Sequence, residues 1–315
     1  MQKPDSIKIA RRLRKALAEA GFKGEVVRVF TSSFGMPYEV GHAKLVDGRD
    51  VVIKISEQYR GYQKTSLSER RNEYANLQAV AALKEARVPK PLYFKGRTLI
   101  MTLVSGVPIG KRNTRRIKPS AYVELGKLVR KMNDMDAGAL PHAPRIGSFK
   151  AFFDESVKTL FAKRLALDIF PREFYVRVTD ALRKRLKRVG SFDTGVIWRD
   201  GNSENILIAP GGELSGIIDF ADLAVGPRIL QFITLIPTIG EEYARQFARG
   251  YGAMKFKRNY KDICVRVIGV LSSLKAIALA HKEGDGRWLR KSLKELEVRL
   301  GELGIEAYQK KKPLV

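Results

Sequence analysis

Val196-Ile-Trp-Arg-Asp200-Gly-Asn-Ser-Glu-Asn205-Ile-Leu-Ile208, followed by Gly216-Ile-Ile-Asp219-Phe-Ala-Asp222, decides how the rest of the chain is read. Two apolar runs joined by Pro210-Gly211-Gly212 have the composition of a β-hairpin. An aspartate opens the segment, an asparagine follows five residues later, and a second aspartate ends the next strand. Asp200, Asn205 and Asp219 can therefore converge on one cleft. Such a trio suits magnesium and phosphate, because magnesium takes a few hard oxygen ligands and leaves the rest of its octahedron to water and phosphate oxygens. Asn205 and Asp219 are adequate for the ion, which leaves Asp200 free to orient or deprotonate a hydroxyl. Taken singly, each of the three is equally a turn-former bounding a hairpin.

The elements around this segment alternate in a definite order. The chain has 315 residues, 44% of them hydrophobic, which is room for one large domain or two smaller lobes with a real core. The first twenty residues read as a helix with Ile7, Ile9, Leu13, Leu17 and Ala18 on one side, ending at Gly21. Strand-like stretches follow over 25–31, 38–46 and 51–55, with Asp47-Gly48 as a hairpin turn, and together they make a three-stranded meander. Residues 66–86 are helical in pattern; Pro89 and Pro91 break it before short strands over 92–95 and 98–103. Gly106 and Gly110 mark a lobe boundary. Helices are then expected over 120–135, from near 148, over 172–188, and as two or three segments between 229 and 300. The expectation is an α+β chain, a small strand-rich lobe before a larger, mainly helical one that carries a single hairpin.

Lys54 lies inside the apolar strand Val51-Val-Ile-Lys-Ile55, where an ammonium is expensive unless paired. Glu73, in Arg70-Arg-Asn-Glu-Tyr74 on the next helix, is its natural partner, and Glu69 on the same helix face is a substitute. Lys54 is otherwise a snorkelling surface lysine and Glu73 part of a solvated face.

The run from Asp200 to Asn205, followed by Ile218-Asp219-Phe220, resembles the catalytic hairpin of the protein-kinase-like superfamily. It is closest to the aminoglycoside and choline phosphotransferase branch, whose metal motif commonly reads I-D-F-x-D, as Ile218 to Asp222 does. The resemblance covers residues 25–226. It implies a bilobal protein-kinase-like fold, with a helical extension (1–24), an antiparallel-sheet N-lobe with its helix (25–103) and a mainly helical C-lobe (104–315). The C-lobe would hold the catalytic hairpin (196–222) and a helical substrate-binding insertion (136–190).

The resemblance also implies an ATP- and Mg²⁺-dependent kinase acting on a hydroxyl. Asp200 would be catalytic, Asn202 would donate to the transferring phosphate, and Asn205 and Asp219 would hold Mg²⁺. Lys54, presented by Glu73, would meet the ATP phosphates, and backbone groups of Thr102, Leu103 and Val104 would hold adenine. Ser32, Ser33 and Gly35 occupy the place of the phosphate-covering loop, although Thr31 to Tyr38 is not a G-x-G-x-x-G and reads equally as a plain turn. Two departures stand out. Trp198-Arg199 replaces the usual His-Gly before the catalytic aspartate, with the tryptophan still able to wedge the loop by packing, and Gly226 to Gln231 replaces a stretch that often carries a further aspartate.

Charge bears on the acceptor. Lys plus Arg number 59 against 33 Asp plus Glu, a net charge of +26 that opposes the approach of a cation. Lys111, Arg112, Arg115 and Arg116 follow the presumed hinge; Arg183 and Lys184 lie in a basic helical run; 255–261 is a third cluster, and Arg199 precedes the catalytic aspartate. As polyanion contacts these favour an anionic acceptor such as RNA, a phosphosugar or a lipid head group, and they allow peripheral contact with an anionic membrane. Helical charge runs are also ordinary solvated faces. An aminoglycoside- or choline-type small-molecule kinase, a protein Ser/Thr kinase, and a non-catalytic kinase-like polyanion-binding module remain alternatives. The longest apolar run noted, 229–240, falls short of the ~18 residues of a membrane span. The N-terminus has no signal-peptide core, and Cys264 is the sole cysteine, which together give a cytoplasmic expectation without intrachain disulfides.

Overall fold

The computed structural model describes residues 6–30, 38–56, 67–111, 117–162, 169–252 and 258–306. The chain divides into two compact units, the first made of 1–144, 195–225 and 234–253, the second of 145–194, 226–233 and 254–315. It is a mixed fold, with an antiparallel sheet in its N-terminal region and a helical C-terminal part.

The first unit opens with α1 (Ser6–Glu19) and strands β1 (Gly24–Phe30), β2 (Tyr38–Leu45) and β3 (Asp50–Ser56). Next come α2 (Leu67–Ala81), β4 (Pro91–Lys95) and β5 (Thr98–Thr102). The five strands form one antiparallel sheet in the order β1-β2-β3-β5-β4. The Asp47-Gly48 turn forms as expected, with Gly48 at φ 85° where a side chain would be strained. Period-two alternation then sets the two faces of β3. Val51 and Ile53 point into a core shared with Ala43, Leu45, Ile100 and α1, so Lys54 points to the opposite face.

Helix α1 belongs to this core rather than standing apart from it as an extension. Ile9, Leu13, Ala16 and Leu17 are buried against the sheet, and Arg12 pairs with Glu39 of β2. Ile7 is 79% exposed and Ala18 is exposed too, which corrects the expected apolar side. The spacing 9, 13, 16, 17 follows one helical stripe, whereas 7 and 18 fall off it.

After the sheet come β6 (Val107–Pro108) and α3 (Pro119–Asn133); later in the chain follow β7 (Thr194–Trp198), β8 (Ile206–Ile208), β9 (Leu214–Ile217) and β10 (Leu223–Pro227). Strands β6, β8 and β9 form one small antiparallel sheet, and β7 pairs with β10. Neither β6 nor β10 was expected from the sequence: β6 has only two residues, and β10 is buried along its whole length and ends in Gly226-Pro227, so it shows no alternation. Strand β9 ends at Ile217, and the backbone turns before Asp219. The hairpin is seated against the segment before β4: Ile217 N–H donates to the Arg87 carbonyl at 3.0 Å, and a Cβ at Gly216 would lie 2.2 Å from that same oxygen. Helix α3 packs closely on α7 (Ala244–Tyr251), where a Cβ at Gly250 would lie 1.8 Å from the Val123 carbonyl oxygen.

In the second unit α8 (Arg258–Glu283) packs against α4 (Phe149–Ala162), α5 (Arg172–Leu186) and α9 (Gly286–Glu302). With α6 (Ile229–Ile239) and α7, four helices lie among the described residues from 229 onward, where two or three were expected. The membrane-length expectation also needs correction. Ile263–Glu283 is long and apolar enough, by length and composition alone, to cross a membrane, but 56% of its most apolar window is buried inside the fold, as in a core helix of a globular protein. Phe153, Phe170, Phe174 and Tyr175 of the expected insertion are buried, the last three in mutual ring contact, so they are core.

If α1 is integral to the sheet, Leu13→Ala should cost about 2–5 kcal/mol of unfolding free energy, as large-to-small core changes do. Urea denaturation checks this; a midpoint unchanged from wild type would show that the helix is peripheral.

Candidate active site

Strand β3 and helix α2 build the first half of the site. Lys54 Nζ donates to Glu73 Oε1 at 2.6 Å, with the two side chains 8% and 5% exposed. Arg70, one turn earlier on α2 and 1% exposed, pairs with Glu73 Oε2. The buried face of α2 thus reads Arg70, Glu73, Asn76, Leu77, Val80, a helical stripe that is polar in its first part and apolar in its last. The side chain of Glu69, the alternative partner, lies outside the described residues.

The hairpin supplies the second half. Lys54 Nζ is also 3.4 Å from each carboxylate oxygen of Asp219. Asp219 stands at φ 63°, a left-handed conformation uncommon for a residue with a side chain. Trp198 Nε1 donates to the Asp219 carbonyl at 2.9 Å, and its ring lies 6.1 Å from that of Phe220. The tryptophan therefore packs against the loop as expected and also holds its backbone through a hydrogen bond that packing arguments did not foresee.

The catalytic-loop residues close on one another. Asn205 Nδ2 donates to the Asp200 carbonyl at 2.9 Å and to Asp200 Oδ2 at 2.8 Å, so its Oδ1 stays available to a cation. Asn202 Nδ2 donates to Asp200 Oδ1 at 2.6 Å, and its own Oδ1 accepts from the Glu204 N–H at 2.8 Å. In this arrangement Asn202 orients Asp200, a role different from the phosphate contact expected of it.

Electrostatics follow from burial and neighbours. Burial works against the charge on Lys54, but Asp219 and Glu73 outweigh it, against opposition from Arg70, and the ammonium is held well above its usual range. Burial and then the Asp219 charge push the Asp200 carboxyl up; donation from Asn202 and Asn205 only partly offsets this, and Asp222 adds to the rise. Lys54, Asp219 and Asn205 therefore offer a cation and two hard oxygen donors within one unit of the fold, a donor set that fits phosphate and Mg²⁺.

The other expected contacts divide into three groups. In the hinge, the Thr102 N–H donates to the Lys90 carbonyl and the Leu103 N–H to the Asp50 carbonyl, which engages those two donors, while among the described residues Val104 makes no backbone hydrogen bond. Ser32, Ser33, Gly35, Arg112, Arg115 and Arg116 lie outside the described residues, as does the side chain of Lys111. Of the remaining polyanion contacts, Arg199 is paired with Asp222 and Arg183 with Asp154 and Asp180, while Lys184 is exposed. Sequence reasoning missed Arg70 and Asn76. The signal was present, since both lie three residues from Glu73 and share its face.

The sequence matches the profile of the phosphotransferase enzyme family over residues 38–263. No curated protein matches. Among solved structures, the macrolide 2'-phosphotransferase MphH from Brachybacterium faecium superposes with a TM-score of 0.65 at 15% identity, covering 92% of this chain and 98% of that one. The GDP and kanamycin complex of APH(2")-IIia gives 0.66 at 13% identity over 88% and 94% of the two chains. Spectinomycin phosphotransferase APH(9)-Ia, in complex with ADP and spectinomycin, gives 0.61 at 11% identity over 91% and 93%. At these identities the structures show a shared fold, and the family match extends over most of the chain. With its kinase-like fold and that match, the chain belongs to the phosphotransferase enzyme family.

Proposed function

We propose that this protein is an ATP- and Mg²⁺-dependent kinase that phosphorylates a hydroxyl of a small molecule, and that the acceptor is itself anionic. The observation that carries the kinase reading is Lys54, held between Glu73 and Asp219 while Asn205 ties Asp200 to the same loop. The solved relatives that hold GDP or ADP support a nucleotide donor, and their kanamycin and spectinomycin complexes support a small-molecule acceptor. The anionic character rests on charge. A molecule at +26 repels cations unless it gathers free carboxylates, and Asp222, the further carboxylate on the loop, is already held by Arg199. RNA and lipid head groups share the anionic chemistry but find no support in the comparisons.

Each residue then has a defined task. Lys54 places a fixed positive charge against donor phosphates, and the Val104 backbone contacts the base. Asp219 and Asn205 Oδ1 would hold Mg²⁺, which when bound neutralises charge building on the phosphate oxygens. Asp200 accepts or orients the acceptor hydroxyl proton, and a pKa raised by burial and by the Asp219 charge makes its carboxylate a stronger base. Position and countercharge suffice, because phosphoryl transfer has a loose transition state stabilised mainly by alignment and electrostatics.

Phosphate transfer from labelled ATP into an acceptor panel of phosphosugars, aminoglycosides, choline, RNA and lipid tests this reading. Asp200→Ala should lower turnover about 10²–10⁴-fold while nucleotide still binds, the range for loss of a general base. Asp219→Ala should lose Mg²⁺-dependent nucleotide affinity as well. Because the carboxylate form of Asp200 is active, wild-type rate should fall as pH drops through a value above the ordinary 3.8. Wild-type turnover in both variants would end the assignment, and preferential transfer to aminoglycosides would end its anionic part.

A further inference from the structure

Three consecutive backbone carbonyls beginning at Asp219 are held by side chains from two separate elements. Trp198 takes the first, as described above. Asn76 Nδ2, from α2, donates to the Phe220 carbonyl at 3.0 Å and reaches that of Ala221 at 3.4 Å. Asn76 is only 3% exposed, so its amide sits where an unmade hydrogen bond would be costly. The residue just before the two carbonyls that Asn76 holds is Asp219, in its left-handed conformation. A residue with a Cβ stays in that region only where its surroundings over-determine the backbone.

Asn76 also lies one turn from Glu73 on the same face of α2. One helix therefore reaches both partners of Lys54, binding it directly through Glu73 and reaching the Asp219 loop through Asn76. Leu77 and Val80 show what packing alone requires of this face; an amide donor aimed at backbone oxygens does something packing does not.

We propose that Asn76 is a positioning residue for phosphoryl transfer. By holding the Phe220 and Ala221 carbonyls it keeps Asp219 turned toward Lys54 and joins α2 to the loop, so that Glu73 and Asp219 are placed together or lost together. The inference rests on the reading of Asp219 as the Mg²⁺ ligand.

The test is calorimetric binding of a non-hydrolysable ATP analogue to the full chain, with Mg²⁺ and with EDTA, for wild type, Asn76→Leu, Asn76→Asp and Asp219→Ala. Asn76→Leu should weaken the Mg²⁺-dependent part of the affinity about tenfold, the scale of one buried hydrogen bond, and leave binding in EDTA unchanged. Asn76→Asp keeps the shape but cannot donate when ionised. It should show the same loss at about pH 8 and recover toward wild type at about pH 5.5, because burial raises the introduced carboxyl's pKa and its protonated form can donate to the Phe220 carbonyl. This second variant decides the matter if Asn76→Leu does not fold. An equal loss with Mg²⁺ and with EDTA would reduce Asn76 to a packing residue and overturn the proposal. If Asp219→Ala loses the Mg²⁺-dependent gain and both Asn76 variants keep it, the metal reading stands and the role of Asn76 is overturned. If Asp219→Ala keeps the gain, the metal reading itself has failed and this inference falls with it.

Discussion

A lysine ammonium removed from water and shared by two carboxylates is the interaction that ties β3, α2 and the hairpin loop to one point. At an effective dielectric near 20, unit charges ~4 Å apart attract by about 4 kcal/mol. Burying an ion costs several kcal/mol, which is the same order. One carboxylate would therefore barely offset the burial of Lys54, and two make its charged state secure. Arg70 completes the balance, since with it two cations face two anions, and Glu73 can serve one neighbour with each oxygen. A site whose charges cancel before any substrate arrives does not need solvent to stabilise it.

The loop that delivers Asp219 meets a different constraint. Strand β9 must run close beside the segment before β4, which only a residue without a side chain allows at Gly216. Immediately afterwards the backbone enters a left-handed turn at an aspartate, where glycine would be easier but would bring no carboxylate. The chain accepts that local strain and holds the turn through the Trp198 indole and the Asn76 amide. Asp200 shows the same economy. Asn202 and Asn205 bond both of its oxygens, fixing its direction without neutralising it.

Much of this was legible before the fold was known, for reasons that particular residues make plain. Asp200, Asn205 and Asp219 stand at spacings set by a hairpin, and Lys54 interrupts an otherwise apolar strand, so their convergence could be read along the chain. A three-stranded meander and two short strands after α2 could be read from β-branched and apolar runs and from the Asp47-Gly48 turn, whereas their joining in one sheet, β3 beside β5, shows only in the fold. What was hidden depends on partners distant in sequence. Ile7 and Ala18 looked as apolar as Ala16, and only the sheet beneath α1 separates them. Arg183 and Arg199 looked like free cations until Asp154, Asp180 and Asp222 were found beside them. The spacing of Asn76 from Glu73 marks its face of α2, but the carbonyls it holds lie about 145 residues away and show only in the fold. The long apolar stretch in α8 escaped notice because charged residues interrupt it, although the helix they sit on is continuous.

Lys54 carries its charge because Glu73 and Asp219 flank it. Heteronuclear NMR of lysine Nζ, with Lys54 assigned by Lys54→Arg and followed through an alkaline titration, reads that charge directly. Lys54 should remain protonated beyond its ordinary value of 10.5, and replacing Asp219 by Asn should lower its midpoint. A Lys54 that loses its proton at or below 10.5, and is indifferent to Asp219→Asn, would show instead that burial prevails over the carboxylates.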